Sequence, residues 1–243
     1  MTEAKYQGFD TYTKTDYHGN VKENFKVLGD LLSSRFDFDL SLRKLRVLDF
    51  GCATGALLGY LHRRFMNLKM TGIDVSEELI KIAREKVPTA EFMVGGVEQF
   101  SLLERQKFDV ALCFGVLGIF DEDEARGALK HLVRSVRPGG SVFVFSQFNE
   151  FDVDVIVRHR LTHPDVKWNE WGRGWNIYSY QTVGNWLNDI DCRYRFIDFQ
   201  MPFELPPQDN PVRTWTFELP SGAQQLTNGM KLLVDLKFLE ISV

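Results

Sequence analysis

The sequence predicts an α/β fold in which helices cover both faces of a mostly parallel sheet. From residue 45 onward, short apolar runs alternate with longer amphipathic stretches, which is typical of strands joined by crossover helices. Five of the runs are almost continuously apolar, as strands buried on both faces are. We therefore expect five successive strands, at Leu45–Phe50, Met70–Val75, Glu91–Val94, Phe108–Phe114 and Ser141–Ser146.

The amphipathic stretches carry the signals of helices. Asp121 and Glu124 have the spacing of a capping box, and Pro138-Gly139-Gly140 ends the helix that they begin and turns the chain into the fifth strand. After each of the first two strands, apolar residues recur at helical spacing and would pack a helix on the sheet. These residues are Leu57, Leu58, Leu61 and Phe65, and then Leu79, Ile82 and Ala83.

The two ends of the chain complete this pattern. Thr182–Ile190 predicts a last helix, and Tyr194–Met201 and Lys231–Ile241 predict two closing strands, which gives a sheet of seven strands. A length of 243 residues favours a single domain. We expect a core at residues 41–147 and 181–243, an N-terminal helical lid at 1–40, and an inserted cap at 148–180 after the fifth strand.

Composition excludes several classes of function. The net charge of −4 and a pI near 5.8 argue against binding a phosphate backbone, so nucleic acid is not expected as a partner. No apolar run approaches the ~20 residues that cross a bilayer, so no membrane association is expected. Cys52, Cys113 and Cys192 lie far apart without CxxC spacing, which favours reduced thiols and a cytoplasmic location.

A short segment between the first strand and its helix carries the chemistry. Gly51 and Gly55 permit unusual backbone angles and let a ligand lie against the main chain. Asp49 stands at the carboxyl end of the strand, where it can accept a hydrogen bond from an ammonium group. Asp74 ends the next strand, where a carboxylate can hold ribose hydroxyls. Because these features follow one order on correctly spaced strands, they predict a nucleotide-type ligand.

On these residues the sequence resembles the class I methyltransferases that use S-adenosylmethionine (SAM), over roughly residues 45–146. The resemblance implies a Rossmann-like fold, SAM as cofactor, S-adenosylhomocysteine as product, and methyl transfer to an oxygen or nitrogen of a small molecule. It implies that the methionine part of SAM is surrounded by Asp49, Gly51, Cys52, Ala53 and Gly55, and that the ribose is bound by Asp74. It also implies that Val75, Gly96, Val97 and Glu98 lie near the adenine. Phe114 and Gly115 would lie beneath the cofactor.

Two positions depart from the family's pattern. Many relatives carry an acidic residue at the position of Gly96, where it accepts a hydrogen bond from the adenine amine, and Glu98 is the substitute offered by this sequence. Relatives often carry His or Glu near the position of Gly118, so no catalytic base is inherited there.

Methyl transfer from a sulfonium is an in-line displacement without a required metal, so we expect positioning of the reactants to provide most of the catalysis.

His159 and His163 are four residues apart but have no defined third ligand, so no metal site is predicted.

Candidate contacts to the methyl acceptor lie in the predicted lid and cap. The aromatic candidates also fit a packing role, in which their rings hold the cap on the sheet. The acceptor candidates are Tyr12, Tyr17 and His18 in the lid, and Trp171, Arg173 and Tyr178 in the cap.

Other functions stay open on the sequence alone. A nicotinamide-dependent dehydrogenase also pairs a glycine turn with an acid after the second strand, but Ala53 stands where that fingerprint requires a second glycine. A SAM-binding protein without methyl-transfer activity would share the turn, and Gly118 keeps this alternative open. Methylation of protein or RNA would need a basic groove, which the composition does not offer.

Overall fold

The computed structural model describes most of the predicted core and part of the predicted lid and cap. Residues 1–20 and 37–40 of the lid lie outside the described residues, so only one lid helix can be compared with the prediction. None of the described helices is both long enough and apolar enough to cross a membrane. The described residues are 21–36, 44–96, 103–105, 107–160, 162, 171–188, 190, 192–207 and 213–243.

Five α-helices and a short 3-10 helix have described bounds, and residues 103–105 are also helical. The helices are α1 (Glu23–Phe36), α2 (Ala56–Arg64), α3 (Glu77–Lys86), the 3-10 helix (Leu117–Ile119), α4 (Glu122–Ser135) and α5 (Tyr180–Leu187). The strands are β1 (Arg46–Phe50), β2 (Lys69–Asp74), β3 (Glu91–Val94), β4 (Phe108–Phe114), β5 (Val136–Asn149), β6 (Arg158–His159), β7 (Gly172–Arg173), β8 (Tyr178–Ser179), β9 (Arg193–Asp198), β10 (Thr214–Glu218), β11 (Gln224–Asn228) and β12 (Leu236–Ser242).

The central sheet confirms the predicted α/β architecture. Its order is β3-β2-β1-β4-β5-β12-β9, and the two-residue β8 adds an eighth strand by pairing with the end of β5. Strands β1 to β5 run parallel, whereas β12 runs antiparallel to both β5 and β9. The carboxyl ends of the five parallel strands therefore meet at one edge, where ligands of such sheets bind.

Two hydrophobic clusters cover the opposite faces of the sheet. One contains Val142 and Val144 of β5 with apolar residues of α4 and α5. The other contains the alternating residues Phe143 and Phe145 with apolar residues of α1, α2 and α3. This alternation follows from the period of two along a strand, which sends neighbouring side chains to opposite faces.

Hydrogen bonds at the helix starts show why the helices begin where they do. Asp121 accepts from the backbone N–H of Glu124 at 3.1 Å, and the Glu124 carboxylate accepts from the backbone N–H of Asp121 at 3.1 Å, so the predicted capping box is confirmed. Ser76 caps α3 by accepting from the N–H of Leu79 at 3.3 Å. Ser179 caps α5 by accepting from the N–H of Thr182 at 3.1 Å, so α5 begins two residues before the predicted start.

The last predicted strand begins five residues too early. Asn228 Oδ1 accepts from the backbone N–H groups of Met230 and Leu232, at 3.0 and 3.3 Å, and Lys231 has a φ of 61°. These contacts form a turn, so the strand starts at Leu236 rather than at Lys231. The turn follows an antiparallel hairpin of β10 and β11 that the sequence pattern did not reveal.

The predicted cap contains short pairings in its described residues. Strands β6 and β7 pair antiparallel, and Val155 forms an isolated bridge with Ile177.

The Pro138-Gly139-Gly140 segment, predicted as a turn before the fifth strand, is included within β5. The pairing of β4 with β5 shifts there, between Phe108 and Val110, and Gly139 has a φ of 83°. The boundaries of the lid and cap stay predictions.

Candidate functional site

The turn after β1 has a backbone that requires glycine. Gly51 and Gly55 have φ values of 77° and 73°, and Ala53 between them has a φ of 47°. The N–H of Gly51 donates to the carbonyl of Ile73 at 2.8 Å, which ties the turn to β2. A Cβ atom on Gly51 would collide with a γ-methyl group of Val116. Position 51 therefore needs glycine both for its backbone angle and for space.

Asp74 joins the ends of β1 and β2. Its carboxylate accepts from the N–H of Ala53 at 2.9 Å through Oδ2 and from the N–H of Ser76 at 3.0 Å through Oδ1. Burial raises the pKa of Asp74, and the backbone hydrogen bonds oppose that rise. The carboxylate thus stabilises the glycine turn as well as facing the edge where a ligand would bind. A carboxylate has about four lone-pair positions, and the backbone of Ala53, Ser76 and Val75 occupies some of them, so capacity remains for a further donor.

Asp49 is a buried carboxylate beside Asp74. It pairs with Gly72 of β2 and Leu112 of β4, and only 2% of the residue is exposed. Burial and, second, the charge of Asp74 raise the pKa of Asp49 to about 7. Within the described residues, no donor forms a hydrogen bond with its carboxylate. A buried carboxylate that lacks a donor and lies near a second carboxylate favours the binding of a cationic group.

Cys52 follows Gly51 in the turn and is buried. Its N–H donates to the carbonyl of Ile73 at 3.0 Å. Burial, followed by the charges of Asp49 and Asp74, raises the pKa of the Cys52 thiol. The thiol is therefore protonated near neutral pH and is a packing group rather than a nucleophile. It lies close to Gly72, where an added Cβ would be 2.8 Å from Sγ.

The ends of β3 and β4 complete the edge. The N–H of Gly95 donates to the carbonyl of Asp74 at 2.8 Å, which places the buried Gly96 next to the end of β2. Val75 is half-buried at this end. Gly115 has a φ of 69°, and a Cβ added there would have no atom within 4 Å, so the space above β4 is open. The predicted adenine contacts Val97 and Glu98 lie outside the described residues.

The segment after β4 explains why position 118 carries no side chain. The carbonyl of Gly118 accepts from the N–H of Asn176 at 2.9 Å, and the Asn176 side chain donates to the carbonyl of Phe120 at 2.8 Å. A Cβ added to Gly118 would lie 3.1 Å from the carbonyl oxygen of Asn176. The inserted segment thus packs directly on this turn, and a His or Glu side chain would have to displace it.

The three described acceptor candidates lie in different surroundings. Trp171 is 58% exposed and stacks under the Arg160 guanidinium at 5.0 Å. Arg173 forms ion pairs with Asp121 at 3.1 Å and Glu124 at 3.4 Å, which links the cap to the start of α4. The acceptor contacts of both residues stay predictions.

Tyr178 lies in the core. It is 1% exposed, its hydroxyl donates to the carbonyl of Phe120 at 2.8 Å, and its ring packs edge-to-face on Trp186 at 4.9 Å. Both ends of the side chain are occupied by protein groups, which favours the packing role over an acceptor contact. Tyr12, Tyr17 and His18 lie outside the described residues.

No cluster of three potential ligands for a metal occurs in the described ranges. His159 is described, whereas its predicted companion His163 is not. Burial lowers the pKa of His159, so its ring is neutral at physiological pH.

Gln147, Phe145 and Phe199 were not predicted from the sequence as site residues, whereas Phe114 was. Gln147 is a buried amide near the end of β5, and its Oε1 has no hydrogen-bond partner within the described residues. Phe114 stacks on Phe145 at 5.6 Å, and Phe199 packs edge-on against Phe145 at 5.0 Å. Gln147 could have been selected from the sequence as a glutamine at the end of an otherwise apolar strand. Phe199 could not, because no local pattern links it to Phe145.

Comparison with known proteins identifies the domain. Residues 47–140 match the family described as "Methyltransferase domain". A demethylmenaquinone methyltransferase of Chlorobaculum tepidum is 34% identical over 102 residues, which cover 42% of this chain and 40% of the relative. The chain spans less than half the length of the first curated relatives that it matches.

Solved structures resemble the whole chain. A SAM-dependent methyltransferase of Clostridium acetobutylicum aligns with a TM-score of 0.59 and 12% identity, over 97% of this chain and 95% of that one. A SAM-bound amino pentose methyltransferase of Micromonospora echinaspora aligns with a TM-score of 0.59 and 14% identity, over 98% of each chain. These likenesses concern the fold, and the family match adds the domain's identity. Residues 47–140 therefore carry a methyltransferase domain, and the chain has the Rossmann-like fold of the SAM-dependent methyltransferases that it resembles.

Proposed function

We propose that this protein transfers a methyl group from SAM to a small-molecule acceptor. The observation that carries the proposal is the pair of buried carboxylates, Asp49 and Asp74, beside the Gly51 turn at the carboxyl edge of the parallel strands. The name of the Chlorobaculum tepidum relative and that of the Micromonospora echinaspora neighbour both describe methylation of small molecules, which supports the same class of acceptor.

The residues present fit SAM. Asp49 lacks a donor within the described residues, and an ammonium group would supply one together with a positive charge. Asp74 keeps lone-pair capacity for a ribose hydroxyl after accepting from the backbone of Ala53, Ser76 and Val75. The open space at Gly115 leaves room above β4. We assign Asp49 to the amino group of the methionine part and Asp74 to the ribose.

SAM supplies, when bound, a methyl group activated by a positively charged sulfur. The chain contributes position rather than proton transfer, because Gly118 offers no base at the end of β4 and Ser146 and Gln147 are neutral. Holding two reactants in contact lowers a barrier by roughly 7 to 11 kcal/mol in favourable cases. The buried rings of Phe145 and Phe199 exclude water from their side of the edge. An amine acceptor must therefore arrive uncharged, and a hydroxyl acceptor must release its proton to solvent as the methyl group is transferred.

Calorimetry with SAM, S-adenosylhomocysteine and NAD tests the cofactor assignment. We expect both SAM and its demethylated product to bind and to raise the melting temperature, because the turn and Asp74 recognise parts common to both. Stabilisation by NAD, with no binding of SAM or S-adenosylhomocysteine, would overturn the assignment. Asp123→Asn should bind SAM like the wild-type protein and serves as the control for variants of the buried carboxylates, because the Asp123 carboxylate is 88% exposed and lies on α4.

A turnover screen separates catalysis from binding alone. The protein is incubated with SAM and a set of small phenols, amines and carboxylic acids, and mass spectrometry follows S-adenosylhomocysteine and methylated products. Product formation supports the enzyme. Tight SAM binding without turnover of any compound favours the non-catalytic alternative, for which the absence of a side chain at Gly118 is the structural argument. A cytoplasmic location and the lack of a nucleic-acid partner stay predictions from the sequence.

A further inference from the structure

Gln147 is a buried amide with an unsatisfied oxygen. The residue is 4% exposed, and Oε1 has no hydrogen-bond partner in the part of the chain that the structure describes. Buried polar groups in folded proteins almost always form hydrogen bonds, so each exception needs an explanation. A ligand that donates a hydrogen bond to this oxygen would provide one.

Gln147 lies at the sheet edge that holds the cofactor residues. The carbonyl of Phe145, two residues earlier in β5, accepts from the N–H of Gly115 at 2.9 Å. On its other side, Gln147 pairs with Leu236 at the start of β12. Alternate residues of a strand share a face, so Gln147 shares a face with Phe145. The amide therefore lies beside the end of β4, next to the position assigned to the cofactor.

Aromatic rings cover this face of the sheet. The rings of Phe114 and Phe145 stack at 5.6 Å, Phe199 packs edge-on against Phe145 at 5.0 Å, and Phe25 of α1 contacts Phe114 at 6.4 Å. Phe114 is partly exposed, whereas the other three rings are buried. A flat apolar ligand packs well on such a surface, because offset and edge-on contacts between rings are favourable.

We infer that Gln147 binds and orients the methyl acceptor, and that the acceptor is a flat aromatic molecule carrying a hydroxyl group. The inference rests on the proposed methyltransferase function and adds the substrate class. An amide oxygen only accepts hydrogen bonds, so the ligand group that satisfies it must donate. A hydroxyl donates, whereas an ether or an ionised carboxylate does not. A neutral hydroxyl is also preferred to an ammonium among apolar rings, because burial of a charge there is unfavourable.

Binding of naphthol and methoxynaphthalene to the full chain saturated with S-adenosylhomocysteine tests this inference. The two probes share a flat ring system, and only naphthol can donate a hydrogen bond. We expect naphthol to bind at least about tenfold more tightly to the wild-type protein, as the satisfaction of one buried acceptor predicts. In Gln147→Leu this preference should disappear, while the affinity for S-adenosylhomocysteine stays unchanged.

Two further variants keep the test decisive. Gln147→Met preserves the length of the side chain without an amide, and it replaces Gln147→Leu if that variant folds poorly. Gln181→Leu is the matched control, because Gln181 is exposed on α5 and donates to Asn185 at 3.1 Å. It should keep the full preference for naphthol.

Several outcomes would overturn the inference. Equal affinities of the wild-type protein for the two probes, no binding of either probe, or a preference that survives in both Gln147 variants would each do so. A surviving preference would mean that Gln147 does not bind the hydroxyl of naphthol. Loss of S-adenosylhomocysteine binding in the wild-type protein would instead refute the proposed function, so the two failures are distinguishable.

Discussion

The two halves of the sheet edge use different chemistry. At the ends of β1, β2 and β3, the edge consists of glycine backbone and of two buried carboxylates, Asp49 and Asp74. Around the ends of β5, β9 and β12, one face instead presents the rings of Phe145, Phe199 and Phe238, with Gln147 as a polar group. The first half suits a charged, hydroxyl-rich ligand, and the second suits a flat apolar one.

The two halves differ in the electrostatic cost of burying their side chains. Asp49 and Asp74 are buried together, and the pKa of each is raised by burial. The rings of the other half pack without such a penalty. A buried carboxylate that lacks a donor destabilises the ligand-free fold, so its presence indicates a binding role. Two kinds of substitution test this comparison. The first kind neutralises a charge in the first half, and the second kind removes contacts in the second half.

Asp49→Asn should give the largest effect. The folded-state pKa of Asp49, about 7, lies above its ordinary value of 3.8, so the folded protein holds a proton that the unfolded chain releases. The resulting stabilisation is complete below pH of about 4 and is lost as the pH rises through about 7. The free energy of unfolding of the wild-type protein should therefore fall by up to about 4 kcal/mol across this window, and Asp49→Asn should lack that decrease.

Urea unfolding at several pH values measures this difference, and calorimetry at pH 8 measures SAM affinity. Asp49→Asn should be the more stable protein at pH 8 but bind SAM roughly tenfold more weakly, because a charge-assisted hydrogen bond is lost. Asp123→Asn, a change at an exposed carboxylate, should behave like the wild-type protein. An identical pH dependence in all three proteins would contradict the raised pKa of Asp49.

Asp74→Asn should weaken SAM binding by roughly tenfold to a hundredfold, because hydrogen bonds to a charged group contribute about 1.5 to 3 kcal/mol. From the sequence alone, we would expect little change in the stability of the ligand-free protein. The structure corrects that expectation, since both carboxylate oxygens accept backbone N–H groups, from Ala53 and Ser76. An amide would turn an NH₂ group toward one of these donors, so stability should fall by about 1 to 3 kcal/mol.

Calorimetry and urea unfolding of Asp74→Asn and Asp74→Ala separate the two roles of Asp74. Asp74→Ala should lose at least as much SAM affinity as Asp74→Asn. If stability falls while SAM affinity is unchanged in both variants, Asp74 only holds the turn, and its assignment to the ribose is wrong.

Tyr178→Phe and Trp171→Ala should give the smallest effects on stability and sharpen the description of the cap. Tyr178→Phe removes the hydrogen bond to the carbonyl of Phe120, and stability should fall by about 1 kcal/mol. Trp171 is 58% exposed, so Trp171→Ala should change stability by less than about 1 kcal/mol. If Trp171 contacts the acceptor, its variant should impair turnover while SAM affinity is unchanged. Unaltered kinetics would assign the ring to the cap surface.

Local patterns in the sequence predicted several elements correctly. The Gly51 turn, the capping box at Asp121 and the five parallel strands were each readable because the residues that form them are contiguous or regularly spaced. Predictions failed where contacts between distant segments decide the structure. Asn228 forms a turn that shortens the last strand, and the β10–β11 hairpin precedes it. Tyr178, predicted as an acceptor contact, is buried, and its hydroxyl donates to the carbonyl of Phe120.

The sequence by itself determined the α/β class, the position of the glycine turn and the identity of the two acids, because these depend on hydrophobic periodicity and on residues close in the chain. Only the tertiary structure decided that Asp49 is left without a donor within the described residues and that Asn176 packs on Gly118. The same is true of Gln147, whose amide oxygen is buried without a hydrogen-bond partner within the described residues. Burial and hydrogen-bond satisfaction depend on every neighbour in space, and the packing of distant segments sets those neighbours.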